Sequence, residues 1–172
     1  ATYSVARPVS SEARSLDGKR GHMGLLDEIH EHQDSSVVDK IRAGTKGRRQ
    51  PLIAMITNSG YDRHSVCWQY HEYGLKVLNG ILNDDAFFAY ICQLDEKDDP
   101  FTDESCWIKA NPSLGVAVTH RYLREQVREA VGMPAKQNIV LRLNFCRWTE
   151  SFANWLDLAV WDACGADIDW LT

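Results

Sequence analysis

The most apolar run in the chain, Pro51-Leu52-Ile53-Ala54-Met55-Ile56-Thr57, is closed at once by Asn58-Ser59-Gly60. Near-continuous hydrophobicity over a strand's length, bounded by small polar residues, predicts a strand covered on both faces, as in a parallel sheet. A second run, His22-Met23-Gly24-Leu25-Leu26, stops at Asp27-Glu28 about thirty residues earlier. Between them, Ser35-Ser36 can cap a helix over 37–43 that Gly44 and Gly47 break. Strand, helix and strand in this order predict a right-handed βαβ crossover with the two strand ends side by side.

Asp62 can cap a long helix over about 63–82, with Val66, Tyr70, Tyr73, Val77 and Ile81 on one apolar face. The stretch 86–94, AFFAYICQL, predicts a third buried strand. The composition then changes: residues 95–104 hold six acids, one lysine and Pro100. Beyond this loop the pattern is helical, over 104–109, 121–131 and 135–148, with Asn111-Pro112 as a break and Pro134 in the first turn of the last helix. Alternating strands and helices followed by helices alone give an α/β class, a parallel sheet with an appended helical piece.

Composition narrows the function classes. The 172 residues carry a formal net charge of −5, against a protein that coats nucleic acid over its whole surface but not against a local basic patch. Five cysteines at scattered spacings with no CxxC indicate reduced thiols, mostly small buried hydrophobes of a cytosolic protein. No uncharged apolar stretch approaches the roughly 20 residues of a membrane span. The opening ATYSVARPVS has no cationic head before an apolar run, unlike a secretory signal, and no initiator methionine, which suggests an internal piece of a longer chain.

The chemistry concentrates at Leu25-Leu26-Asp27-Glu28. A buried strand ending in two acids presents them at the carboxyl edge of a parallel sheet, where open α/β folds bind ligands. In P-loop NTPases an aspartate there helps hold the nucleotide's magnesium, and an adjacent glutamate can orient and deprotonate the attacking water. The plain alternative is a strand end whose acids face water. Thr57 and Asn58, at the neighbouring strand end, can hydrogen-bond a γ-phosphate or that water, although a strand-to-helix turn favours the same residues. Lys40, Arg42, Lys46, Arg48 and Arg49 put five cations in ten residues, either phosphate contacts to DNA or a solvated loop. Arg121, Arg124 and Arg128 can pair with Glu125 and Glu129 as a surface stripe. Arg14 and Arg20 are candidates for an arginine finger reaching a neighbour's phosphate. His30 and His32, two apart, do not make a metal motif. Trp68, Tyr70 and Tyr73 fit a core better than a base-stacking platform.

These elements in order, from Ser15-Leu16-Asp17-Gly18 through Leu25-Leu26-Asp27-Glu28-Ile29-His30-Glu31-His32 and Thr57-Asn58-Ser59-Gly60 to Trp107-Ile108-Lys109-Ala110-Asn111-Pro112-Ser113-Leu114-Gly115, resemble the large terminase subunit of tailed bacteriophages. The tail from Phe152-Ala153-Asn154-Trp155-Leu156 to Trp161-Asp162-Ala163-Cys164 resembles the segment just before that family's nuclease. The resemblance implies a partial P-loop NTPase-type parallel sheet with flanking helices, followed by a small helical linker subdomain. Residues 1–94 would be the C-terminal half of the motor domain, 95–150 the linker and 151–172 the junction to a nuclease. It implies a motor that uses ATP and Mg²⁺ to pump double-stranded DNA into a procapsid, and a metal-dependent nuclease that cuts the concatemer. Asp27 would be the magnesium-linked acid, Glu28 the catalytic base, and Thr57 and Asn58 the motif coupling hydrolysis to motion. The implied partners are the small terminase subunit, the portal protein and further copies in a ring, with no membrane, in the cytoplasm of a bacterial host.

Two departures accompany the resemblance. The only Gly-Lys, Gly18-Lys19, is followed by Arg20 and lacks the upstream glycine of G-x-x-x-x-G-K-[ST]. The late acids Asp167 and Asp169 lie on no apolar strand, so neither the P-loop nor the nuclease acids are expected here. Two rivals stay open. Asp27-Glu28-Ile29-His30 also spells the box of DExH helicases, and a non-enzymatic assembly module could use the acids structurally.

Overall fold

Two short strands, β1 (Met23–Leu26) and β2 (Leu52–Met55), pair in parallel with Met23 opposite Leu52 and Leu26 opposite Met55. The helix α1 (Ser36–Gly44) connects them. Its first amide is capped by Asp34, whose Oδ1 accepts from the Ser36 N–H at 2.8 Å, while the Ser35 hydroxyl donates to Asp39 at 2.6 Å. Those Ser36 bonds hold the Asp34 carboxyl below the usual carboxylate range. The computed structural model describes residues 3–9, 16–150 and 163–164. Its contacts divide the chain into two units, 1–58 with 63–89, and 59–62 with 90–172.

In the first unit α1 lies against the sheet face that carries Gly24 and Leu26. A Cβ built on Gly24 would stand 2.5 Å from Cγ2 of Ile41, so glycine is what permits this approach. The opposite face is not covered as the run of apolar residues predicts: Met23, Leu25 and Leu52 are all more than half exposed. A two-stranded sheet with a helix on one side buries only that side, and the described residues supply no second layer there.

The helix after β2 is shorter than its apolar pattern. α2 runs Val66–Leu78 and is capped by Ser65, not Asp62, with the Ser65 Oγ accepting from the Trp68 N–H. It ends at Gly80 (φ 69°), where Gly80 N–H bonds the Val77 carbonyl and Ile81 N–H the Lys76 carbonyl. This pair of bonds closes a helix through a left-handed glycine and takes Ile81 off the helical face. The third strand predicted over 86–94 is absent. Asp84 turns the chain by accepting from the Ala86 and Phe87 amides, and the residues after it join no ladder, leaving Phe88 and Tyr90 exposed. An apolar run signals burial, but a strand also needs a neighbouring edge to bond to, and no described strand lies beside this one.

The second unit has its own core. Leu94, Cys106, Trp107 and Ala110 pack with Leu123 and Ala130 of α4 (His120–Gly132) and Val140 and Phe145 of α5 (Pro134–Phe145). The short α3 (Trp107–Ala110) is the hub. Trp107 is buried and donates its Nε1–H to the Pro100 carbonyl at 2.8 Å. The Asn111 amide donates to the carbonyls of Trp107 and Asn144, at 3.2 and 2.8 Å. Lys109 binds Asp95 and Asp98 at 2.7 and 2.8 Å, so the acidic stretch is a pinned turn. Lys109 and the Asp95 N–H hold the Asp98 carboxyl below its ordinary range. The arginine stripe is also rearranged: Arg121 pairs with Glu125, but Arg124 forks onto Glu104 and Glu129 binds Lys136. The last helix stops at Cys146 (φ 49°), short of the predicted 148.

The described cysteines are all free: Cys67 and Cys106 are buried, Cys92 and Cys146 partly so, and Cys164 is exposed. Among the described residues no helix is long and apolar enough to cross a membrane.

The close approach at Gly24 can be tested in this chain. Gly24→Val is expected to cost about 1–3 kcal/mol, the usual range for overpacking, and Gly24→Ala less. Urea unfolding measures both, and a valine variant as stable as the parent would refute the tight α1–β1 contact.

Candidate functional site

The parallel ladder continues past both strands. The Ile56 N–H donates to the Leu26 carbonyl at 2.9 Å, and the Ile29 N–H donates to the Ile56 carbonyl at 3.4 Å. Asp27 and Glu28 therefore follow β1 at the same sheet edge where Ile56 and Thr57 follow β2. Both acids are exposed. The Glu28 N–H donates to Oδ1 of Asp27 at 3.0 Å, and Glu28 itself adopts left-handed backbone angles (φ 52°, ψ 47°). A non-glycine residue with these angles is uncommon, and such residues gather at functional sites.

A single-turn 3-10 segment, Ile29–Glu31, follows, with Ile29 buried beneath it. Its His30 faces the Thr57 hydroxyl twice. The His30 N–H donates to Thr57 Oγ1 at 3.0 Å, and ring Nδ1 lies 3.1 Å from the same oxygen. Nδ1 is also 3.2 Å from Oε2 of Glu28, and Nε2 is 3.3 Å from Oε1 of Glu31. The His30 side chain is 3% exposed, while those of Glu28 and Glu31 are 57% and 72% exposed. Below them, Cys67 Sγ of α2 lies 3.5 Å from Thr57 Oγ1. Burial pushes the Cys67 thiol up, with the Thr57 contact acting in the opposite direction, so Cys67 is a neutral packing group.

Asn58, partly buried, offers its backbone carbonyl to the Thr57 hydroxyl at 2.9 Å. The structure thus brings Asp27, Glu28, Thr57 and Asn58 to one sheet edge. His30, which the sequence offered as part of a possible metal motif and as the last residue of a DExH box, joins them. The signal that could have found it was its place three residues after Asp27, opposite a polar strand end.

The basic residues do not form one patch. Lys40 pairs with Asp17 at 2.7 Å, Arg42 donates to the Tyr70 hydroxyl at 2.9 Å, and Arg48 donates to the Arg20 carbonyl at 2.6 Å. Lys46 and Arg49 are exposed on the loop between α1 and β2. Arg20 is exposed, while Arg14 and the acids Asp167 and Asp169 lie outside the described residues. A cavity of about 380 Å³ opens between α1 and α2, lined by Arg42, Tyr70, Tyr73 and Asp84 among others. There the Tyr73 hydroxyl donates to Asp84 at 2.5 Å, a bond that holds the Asp84 carboxyl low and raises Tyr73. Among the described residues no three or more His, Cys, Asp or Glu side chains are grouped to hold a metal by themselves.

Known proteins match both parts of the chain. The family model described as the terminase large subunit ATPase domain matches residues 1–76, and that of the terminase large subunit endonuclease domain matches residues 81–171. Protein YmfN of Escherichia coli K12 is 31% identical over 151 residues, 88% of this chain and 33% of YmfN. The crystal structure of the HK97 bacteriophage large terminase shares the fold, with a TM-score of 0.69 at 18% identity over 91% of this chain and 32% of that one. The chain therefore spans about a third of the length of each.

The left-handed backbone at Glu28 has a measurable consequence. A Cβ in that conformation costs roughly 1–2 kcal/mol, which glycine escapes. Glu28→Gly is expected to be about 1 kcal/mol more stable than Glu28→Ala in urea unfolding. Equal stabilities would mean that the position stores no backbone strain.

Proposed function

The chain belongs to the terminase large-subunit family, and from that premise we propose that it is part of a viral DNA-packaging motor in which ATP hydrolysis drives double-stranded DNA into a procapsid. The observation that carries this reading is the parallel edge where Asp27 and Glu28 stand beside Thr57 and Asn58. An exposed acid pair at such an edge suits Mg²⁺, which takes one or two carboxylates and draws its remaining ligands from phosphates and water.

In this reading Asp27 would hold the magnesium of ATP, and the ion would supply positive charge for the phosphate oxygens. Glu28 orients a water and takes its proton. Thr57 and Asn58 sense the γ-phosphate side of the cleft and pass its loss on. Position and charge supply most of the rate in phosphoryl transfer, so a pre-set carboxylate on a fixed strand end is what the chain must provide. Arg20 and Arg14 are the proposed fingers toward a neighbouring subunit of a ring. Lys46 and Arg49, on one exposed loop, are the better candidates for DNA phosphates, with Lys40, Arg42 and Arg48 engaged by Asp17, Tyr70 and the Arg20 carbonyl.

For the domains we propose residues 1–94 as the C-terminal half of the motor, 95–150 as a helical linker and 151–172 as the junction to the nuclease. The break between the two contact units near residue 90 supports this reading. The endonuclease description, which reaches back to residue 81, counts the helical piece with the nuclease. The small terminase subunit, the portal and a homo-oligomeric ring are the proposed partners, in the cytoplasm of a bacterial host. The helicase alternative draws no support from the family matches.

In the full-length protein, Glu28→Gln is expected to leave ATP binding intact and to lower hydrolysis by about 10²–10⁴-fold, the usual weight of a general base, with packaging lost. Turnover near the parent rate would remove Glu28 from its role. The 172 residues on their own carry no G-x-x-x-x-G-K-[ST] to cradle phosphates, so they are expected to be inactive and to bind ATP weakly. Micromolar affinity in a fluorescent-nucleotide titration would overturn that.

A further inference from the structure

We propose that His30 is a positioning residue that ties the Glu28 carboxylate to the Thr57 hydroxyl, so that the orientation of one depends on the hydrogen bond of the other. The inference rests on the nucleotide-site reading and deepens it. One ring nitrogen, Nδ1, is within reach of both partners, 3.2 Å from Glu28 Oε2 and 3.1 Å from Thr57 Oγ1. A neutral imidazole has one N–H and one bare nitrogen. If Nδ1 carries the proton, its N–H lies between the Glu28 carboxylate at 3.2 Å and the Thr57 oxygen at 3.1 Å, and the Thr57 hydroxyl is turned to the Asn58 carbonyl, 2.9 Å away. If Nδ1 is bare, it accepts from Thr57, and Glu28 loses its tether. Thr57 has only one proton to give, so these two arrangements exclude each other.

The surroundings keep the ring in place for such a role. Its side chain is 3% exposed beneath two exposed carboxylates, and its own N–H donates to Thr57 Oγ1 at 3.0 Å. When Nδ1 is bare, Nε2 carries the proton and faces the Glu31 carboxylate at 3.3 Å, which anchors the ring in that arrangement. The backbone bond fixes the distance between the 3-10 turn and the β2 end, while the ring nitrogen is left to switch between two partners. A water-activating carboxylate held this way would be aimed according to what Thr57 bonds, which is the linkage a coupled motor needs.

The test separates Nδ1 from the mere bulk of the ring. Asparagine puts an amide group where Nδ1 sits, and glutamine puts one nearer to Nε2 although its volume is closer to that of histidine. In the full-length enzyme, His30→Ala and His30→Gln are expected to lower kcat for ATP hydrolysis about 10- to 100-fold, the scale of a misplaced catalytic group. KM, the affinity for a fluorescent ATP analogue and hydrogen exchange over 27–32 should change little, and His30→Asn should restore most of kcat. Turnover at the parent rate in His30→Gln would overturn the inference, as would an asparagine variant no better than glutamine. If alanine unfolds the turn, seen as fast exchange over 27–32, the asparagine–glutamine pair still decides. Glu28→Gln measured alongside distinguishes the two failures: an active Glu28→Gln overturns the nucleotide-site reading, and an inactive one with a fully active His30→Gln overturns the His30 inference alone.

Discussion

Ile56 gives its N–H to the Leu26 carbonyl and takes the Ile29 N–H on its own carbonyl, so the β1–β2 ladder runs on beyond both strands. Everything at the sheet edge depends on that register. Side chains alternate between faces with a period of two, and a slip of one residue would turn every side chain to the wrong side. Here a slip would also part His30 from Thr57, because their contact links the fourth residue past the Leu26–Met55 pair on one strand to the second on the other. Gly24 helps to fix the register from below. Only without a Cβ there can Ile41 of α1 come down on the sheet, and this keyed contact opposes sliding.

The second unit is organised around a different constraint, the burial of an indole with a polar edge. Trp107 can be buried only if its N–H finds an acceptor, and Pro100 supplies one. That bond obliges the acidic stretch to fold back over α3. Lys109, two residues on, then sits among the carboxylates of Asp95 and Asp98. Asn111 ties the end of α3 to Asn144 near the end of α5. Thus Trp107, Lys109 and Asn111 each take up a polar requirement created by the same turn. A charge run that reads as solvated loop in one dimension is an internally satisfied structure in three.

The parallel pair and its acid-ended edge were legible because they rest on local signals: an apolar run, a short helical spacing and polar stops. The extent of α2 was not, because the apolar face continues through Ile81 while the left-handed backbone of Gly80 has already ended the helix. Nor could the run at 86–94 be told from a strand, since its composition says nothing about whether a partner edge exists. The role of His30 was hidden for a related reason. Its partners, Thr57 above all, lie 27 residues away and become neighbours only once the crossover is formed. The pairing of Arg124 with Glu104 instead of a helical neighbour is the same kind of nonlocal choice.

The route by which an event at this edge could travel is set by covalent structure. Thr57 and Asn58 end the opening segment of the first unit, which resumes at Arg63, and the four residues between, 59–62, belong to the second. There the Ser59 hydroxyl faces the carbonyls of Arg142 and Arg147, at 3.1 and 3.0 Å, and the Gly60 carbonyl accepts from the Thr149 N–H. Ser59 is buried, so these bonds are not in competition with solvent. Successive Cα atoms are about 3.8 Å apart across a trans peptide, so a shift of the Thr57 backbone has only two peptide units in which to dissipate before reaching an anchored residue. No packing between the units is required for this. Thr57 at the sheet edge and Ser59, fixed to the end of α5, are only two residues apart, so the polypeptide itself joins the edge to an anchored residue of the second unit.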